Sequence, residues 1–179
     1  MIKYLFAICF LFLLHNEEAE LLWSESYKLT WQDFKGQPNL NTDAVAVTDS
    51  GITFSYSIKK TTSAVVSFKT IVKASFYPEH SWCKKDMVDN HVLSHEQLHF
   101  DITELYARYF REQISDLKVS NNITEILQDY HQSANANLEK MQQKYDEESN
   151  YSINKEGQLK WQNFIEKELK RLSKYKSKS

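Results

Sequence analysis

The sequence is short of the residues that punctuate and staple small proteins. Its 179 residues include only three glycines, two prolines and two cysteines. So few glycines and prolines leave little material for tight turns and favour long helices. One cysteine, Cys9, lies in an apolar N-terminal run, and the other is Cys83. If that run is removed, Cys83 remains alone and no intramolecular disulfide can form. Cys83 is then expected in the core, as a small apolar residue. Neither sign of charge dominates. Lys and Arg number 22 against 24 Asp and Glu, for a net charge of −2, which argues against a nucleic-acid binder. Also missing is an apolar stretch of the roughly 20 residues needed to span a bilayer.

What apolar run there is stands at the start. Lys3 precedes an almost unbroken apolar segment from Tyr4 to Leu14, the arrangement of a secretory signal. Residues 1–20 are therefore expected to be a signal peptide, cleaved somewhere between Asn16 and Leu21. The protein would be exported, to the periplasm or beyond, with no stable membrane span once the signal is gone. Residues 21–179 are expected to form a single domain.

Within that domain the apolar period changes once. Val66, Phe68, Thr70, Val72, Ala74 and Phe76 alternate with Ser67, Lys69, Ile71, Lys73, Ser75 and Tyr77, a period of two that predicts a half-buried strand. Asp43–Val47 and Gly51–Ile58 read as two more strands around a turn at Asp49-Ser50-Gly51. Trp31–Phe34 reads as one helical turn closed by Gly36. From about Asp86 the period is helical. A first helix is predicted to near Leu117. A second follows the capping-box pattern Asn122-Ile123-Thr124-Glu125. It carries the stripe Ile123, Ile126, Leu127, Tyr130, Ala134, Leu138, Met141 and Tyr145. A third begins after Asn154 and carries Trp161, Ile165, Leu169 and Leu172. The basic end, Lys167–Lys178, reads as a solvated helix terminus.

The first helix carries His95-Glu96-Gln97-Leu98-His99. Histidines four apart share one helical face, so both imidazoles can meet one metal ion. Zinc is the expected cofactor, because it accepts neutral His nitrogens. Glu96 is rotated about 100° from His95, where it can act as general base on a metal-activated water. His91 continues the same line, but it is about 12 Å along the axis from His99 and cannot join both on one ion. Asp101 projects away from the metal and is expected to anchor the helix to its neighbours near Arg108. His131 and Tyr106 read as packing residues that either face the cleft or do not.

Several blocks together resemble a known family. They are Lys28-Leu29-Thr30-Trp31-Gln32-Asp33-Phe34-Lys35-Gly36, Thr48–Ile52, Ser81-Trp82-Cys83-Lys84-Lys85, His95–Ile102, Tyr145-Asp146-Glu147-Glu148-Ser149 and Gln158–Trp161. Their order and spacing resemble domain-of-unknown-function family 922, described as bacterial secreted zinc-dependent proteases. The resemblance covers nearly the whole chain after the signal. It implies an exported bacterial protein that hydrolyses peptide bonds. It also implies a histidine near the end of the Tyr145 block, and here Tyr151 stands in that place.

Catalytic zinc takes three protein ligands and keeps one position open. His95 and His99 supply two. The third is left open among Glu148, which would complete a His-His-Glu set, Tyr151 as a phenolate, and Asp146 as the weaker option. The expected fold is α+β and zincin-like. A small antiparallel sheet from the N-terminal half packs on the long metal-site helix, and two C-terminal helices close the other side. The expected function is zinc-dependent peptide hydrolysis with Glu96 as base, acting on a peptide or protein substrate. The rival is an exported, non-catalytic binding module with a degenerate site.

Overall fold

The computed structural model describes residues 19–177, so the expected signal segment and Cys9 lie outside the described residues. The architecture is α+β, with two small antiparallel sheets and three long helices. The strands are β1 (Leu21–Leu22), β2 (Ala46–Val47), β3 (Ser50–Lys60), β4 (Val65–Phe76) and β5 (Trp82–Cys83). The helices are α1 (Asn90–Ser115), α2 (Ile123–Ser149) and α3 (Lys155–Arg171). Among the described residues no helix is long and apolar enough to cross a membrane.

The expected single sheet is two. β3 and β4 form a long hairpin from Ser50↔Phe76 to Lys60↔Val65, and β1 adds to the outer edge of β4. β2 does not turn back on β3. It pairs instead with β5, through Ala46↔Cys83 and Val47↔Trp82. The same two lengths of chain thus stay antiparallel past an excursion at residues 77–81. Pro78 lies in that excursion, and a proline cannot donate to a ladder. Its carbonyl accepts from Lys35 N and Gly36 N instead. The excursion is closed by Tyr77 N–H donating to Asp49 O at 2.9 Å and by Asp49 N–H donating to Ser81 Oγ at 2.9 Å. The alternation read in β4 holds only in part: Val72, Ala74 and Phe76 are buried and Ile71 is exposed, but Ser75 is fully buried as well, bonded to Glu20, and Val66 near the hairpin end is exposed.

α1 is the centre of the molecule. It packs against β3 and β4 on one side and against α2 and α3 on others. Its start is fixed by Asp89, whose carboxylate accepts from His91 N and Val92 N at 2.9 Å each, satisfying backbone donors that a helix start otherwise orphans. Leu98, Ile102, Leu105 and Phe110 are almost wholly buried, at about 1.5–3 kcal/mol each relative to exposure. Asn122 precedes α2 as expected, but its side chain makes no capping hydrogen bond. Asn154 does cap α3, through Gly157 N. Cys83 is buried in the core.

The back of α1 is tied to the N-terminal segment. Asp101 accepts from Trp23 Nε1 at 2.6 Å and from Gln97 Nε2 at 2.9 Å, and Gln97 Oε1 accepts from Leu29 N at 2.8 Å. Asp101 is thus an anchor as expected, through Trp23 and Lys28, and Arg108 lies nearby with its guanidinium 5.2 Å from the Trp23 ring centroid. Arg108 pairs with Glu104 at 2.8 Å, both almost fully buried.

Gly36 does not close the helical turn. The turn at Trp31–Asp33 ends on Phe34 in an extended conformation. A Cβ at Gly36 would lie 2.8 Å from Glu79 O and 3.0 Å from Ser81 O, so glycine is there to let two backbones approach. Gly36→Ala should cost about 1–3 kcal/mol of stability, the range for overpacking. The urea midpoint reads it, and an unchanged midpoint would contradict this packing.

Candidate metal centre

The helical period of α1 puts His95 and His99 side by side, with ring centroids 4.8 Å apart. Opposite them is one turn of α2. Gln142 and Asp146 are four residues apart, and Tyr145 lies between them on the face turned to α1. Nε2 of His95 and Nε2 of His99 are 3.1 Å apart. Oδ1 of Asp146 lies 3.2 Å from the first and 2.9 Å from the second. A tetrahedral centre with bonds of about 2.0–2.1 Å sets its ligand atoms roughly 3.3 Å apart, so the triangle has the size of a zinc-ligand face.

Each histidine is held differently. Tyr145 is fully buried and its ring stacks on His95 at 4.6 Å. His99 is held by a hydrogen bond. Gln142 Nε2 donates to His99 O at 2.9 Å and lies 3.3 Å from Thr103 Oγ1, which fixes the amide's orientation. Its Oε1 therefore faces His99 Nδ1, at 2.5 Å. An amide oxygen only accepts, so Nδ1 carries the proton. Neutral His99 then presents a bare lone pair at Nε2, aimed at a carboxylate oxygen 2.9 Å away. Two electron-rich atoms at that distance need a positive charge between them, supplied by a proton or a metal ion. This donor set fits zinc: two imidazole nitrogens, one carboxylate, and an outer hydrogen bond that orients a ligand.

The electrostatics agree. Burial opposes protonation of His99, but the hydrogen bond to Asp146 and the charges of Glu96 and Asp146, aided by Gln142, outweigh it and raise its pKa. Burial likewise disfavours the Asp146 carboxylate, yet the hydrogen bonds and charges of both histidines hold it well below the usual range. Burial, with the charges of Glu96 and Asp146 adding, pushes the Tyr145 phenol far above its ordinary value. Glu96 is 4% exposed and lines the same cleft of about 610 Å³ as His95, His99 and Asp146. Burial also raises the Cys83 thiol, which keeps it unreactive.

Glu148 is not at the histidines. Two residues beyond Asp146 it is rotated roughly 200°, and its carboxylate accepts from Trp161 Nε1 at 2.9 Å between α2 and α3. The converging carboxylate is Asp146, the option ranked last by sequence. Tyr151 stands at the rim of the cleft, 65% exposed, and among the described residues no hydrogen bond ties it to either histidine. His91 turns away, its Nε2 lying 2.6 Å from Ser152 O. His131 packs between Phe54 and Phe110, and Tyr106 packs on Tyr109. Sequence reading missed Gln142. The signal was its spacing, four residues before Asp146 and three before Tyr145.

The turn between α2 and α3 is strained. Asn150, Tyr151 and Ser152 have φ of 46°, 50° and 74°, at about 1–2 kcal/mol each for non-glycine residues. It is pinned by Tyr151 N–H donating to Asp146 O at 2.9 Å and Asn154 N–H donating to Ser149 O at 2.8 Å.

Residues 28–152 match the model of a family described as bacterial protein of unknown function (DUF922). The chain belongs to this family. The matched region runs from Lys28 through β2 to β5, α1 and α2 to the strained turn, and contains every residue lining the DUF922 cleft except Ile153. No curated protein and no solved structure matches the chain.

The paired shifts set a pH dependence for the metal-free protein. The raised His99 pKa contributes stability in full below the unfolded value of about 6.5, and that contribution is lost as pH rises through the folded value. The lowered Asp146 pKa contributes above about 3.9, and is lost as pH falls toward the folded value. The pair should therefore stabilise most between about pH 4 and 6.5, and Asp146→Asn should flatten the profile. Urea midpoints across pH in EDTA check this. The same profile in wild type and Asp146→Asn would contradict the pairing.

Proposed function

We propose that this DUF922 protein is a zinc-dependent hydrolase of peptide bonds, with His95, His99 and Asp146 holding the metal and Glu96 as general base. The observation that carries the reading is the His99 Nε2 lone pair, fixed by Gln142 and aimed between His95 Nε2 and Asp146 Oδ1, with the Glu96 carboxylate in the same cleft. Zinc bound there would polarise a substrate carbonyl and acidify a water molecule. Glu96 takes the proton from the attacking water and returns it to the leaving amine. Its burial in an enclosed cleft strengthens that exchange, since charges act further where water is excluded. Gln142 keeps the His99 proton on Nδ1, so that Nε2 stays available. Tyr145 holds the His95 ring flat. The change at Tyr151 does not by itself degrade the site, because Asp146 supplies the third donor.

The purified protein should carry about one zinc per chain. His99→Ala and Asp146→Ala should each lose most of it, whereas Glu148→Ala should keep it. Zinc held equally well by Asp146→Ala and wild type would overturn the ligand set. Glu96→Gln should keep zinc and lose a factor of about 10² or more in turnover. If wild type and Glu96→Gln both hold zinc and are equally inert on broad peptide libraries, the non-catalytic binding module replaces the hydrolase.

A further inference from the structure

The cleft has two unlike walls. One is the chain at residues 42–48, which includes β2, and no β5 residue lines it. The pairing direction of β2 is fixed. Lys84 N–H donates to Val45 O at 2.8 Å, and Ala46 lies opposite Cys83. In an antiparallel pair, alternate residues aim their backbone groups at the partner and away from it. Val45 and Val47 therefore serve β5, while Ala44 and Ala46 aim outward. Ala44 N–H is taken by Thr42 Oγ1 at 3.3 Å. Ala44 C=O and both backbone groups of Ala46 have no partner among the described residues. β2 thus offers a short strand edge, formed by Ala44 C=O and the backbone of Ala46, along the cleft whose floor holds His95, Glu96, His99 and Asp146, with Ala46 itself 9% exposed.

The other wall is the strained turn. Tyr151 and Ile153 are 65% and 75% exposed, although both are large and apolar in bulk. Their backbone is held from below by His91 Nε2 at Ser152 O and by Asp146 O at Tyr151 N. Three consecutive left-handed residues persist only where surrounding bonds over-determine them, and such strain gathers at functional sites. Between the walls, Val92 and Val45 add apolar surface. Apart from the floor, the only charged residue lining the cleft is Asp43.

From this geometry we infer that the cleft takes an extended polypeptide as an added strand on β2, and that Tyr151 and Ile153 select a bulky apolar side chain beside the bond held over Glu96. The placement of the bond rests on the hydrolase reading, while the docking itself does not. Unpaired backbone groups on a strand edge are met by an extended peptide's own N–H and C=O groups, and flanking side-chain surfaces give specificity. Asp43, Glu96 and Asp146 together disfavour acidic side chains.

The test uses full-length Glu96→Gln protein and three fluorescein-labelled decapeptides read by anisotropy. One has Leu-Phe at its centre, one has Asp-Asp there, and one is the Leu-Phe peptide N-methylated at alternate central residues. The Leu-Phe peptide should bind at least tenfold more tightly than either of the others. The double variant Tyr151→Asn, Ile153→Asn should lose tenfold or more for the Leu-Phe peptide. Asparagine tolerates the left-handed region, and both positions are exposed, so the turn should persist. Equal affinity for the apolar and acidic peptides, no loss on N-methylation, an unchanged double variant, or no binding of any peptide would each overturn the inference. Zinc-loaded wild type separates the two readings. Binding in the expected pattern without cleavage supports the docking and removes the hydrolase. Cleavage without apolar preference or sensitivity to N-methylation overturns the docking and keeps the hydrolase.

Discussion

Two imidazole nitrogens and a carboxylate oxygen lie within 3.2 Å of one another. Left without a positive charge to share, such a cluster would push its helices apart, so the rest of the fold has to hold them together. α1 and α2 meet at this level through Tyr145, which is fully buried and touches both histidine rings. Around it Leu138, Ile102 and Leu105 belong to one buried apolar core. The polar cluster is small beside the apolar surface that clamps it. Gln142 converts that clamp into chemistry by deciding which nitrogen of His99 carries the proton.

The helical half of the fold was legible because its periods are long. α1, α2 and α3 begin within a few residues of their expected starts, and the stripe on α2 is the face that meets α1. The β half was less so. The Asp49-Ser50-Gly51 turn looked like the bend of a hairpin, yet there the chain passes from one sheet to the other. What decides this is Ser81, whose hydroxyl takes Asp49 N, a link across 32 residues that no local pattern encodes. Gly36 was misread for a similar reason. Its role is the approach of the 79–81 backbone, which a sequence window cannot contain.

The candidate site divides in the same way. His95, Glu96 and His99 lie on one element, and a helix's own period places them. The third donor comes from another element, so composition alone ranked Glu148 above Asp146. The helical period of α2 does not choose between them, because Asp146 and Glu148 lie about 80° to either side of Leu138. What selects Asp146 is that α1 packs on its side while α3, through Trp161, packs on the side of Glu148. The strained turn was invisible, since none of Asn150, Tyr151 and Ser152 is a glycine.

The two ends of the described chain meet behind α1. Lys176 Nζ pairs with Glu25 at 2.5 Å, across 151 residues, and Trp23 beside it is fixed to Asp101. On α1, Asp101 and Gln97 project about 200° away from His99 and His95. Both ends therefore leave from the side of the molecule facing away from the cleft. A tether at either end, whether to a surface, a bead or a fused domain, would hold the molecule by its back and leave the opening outermost and unobstructed.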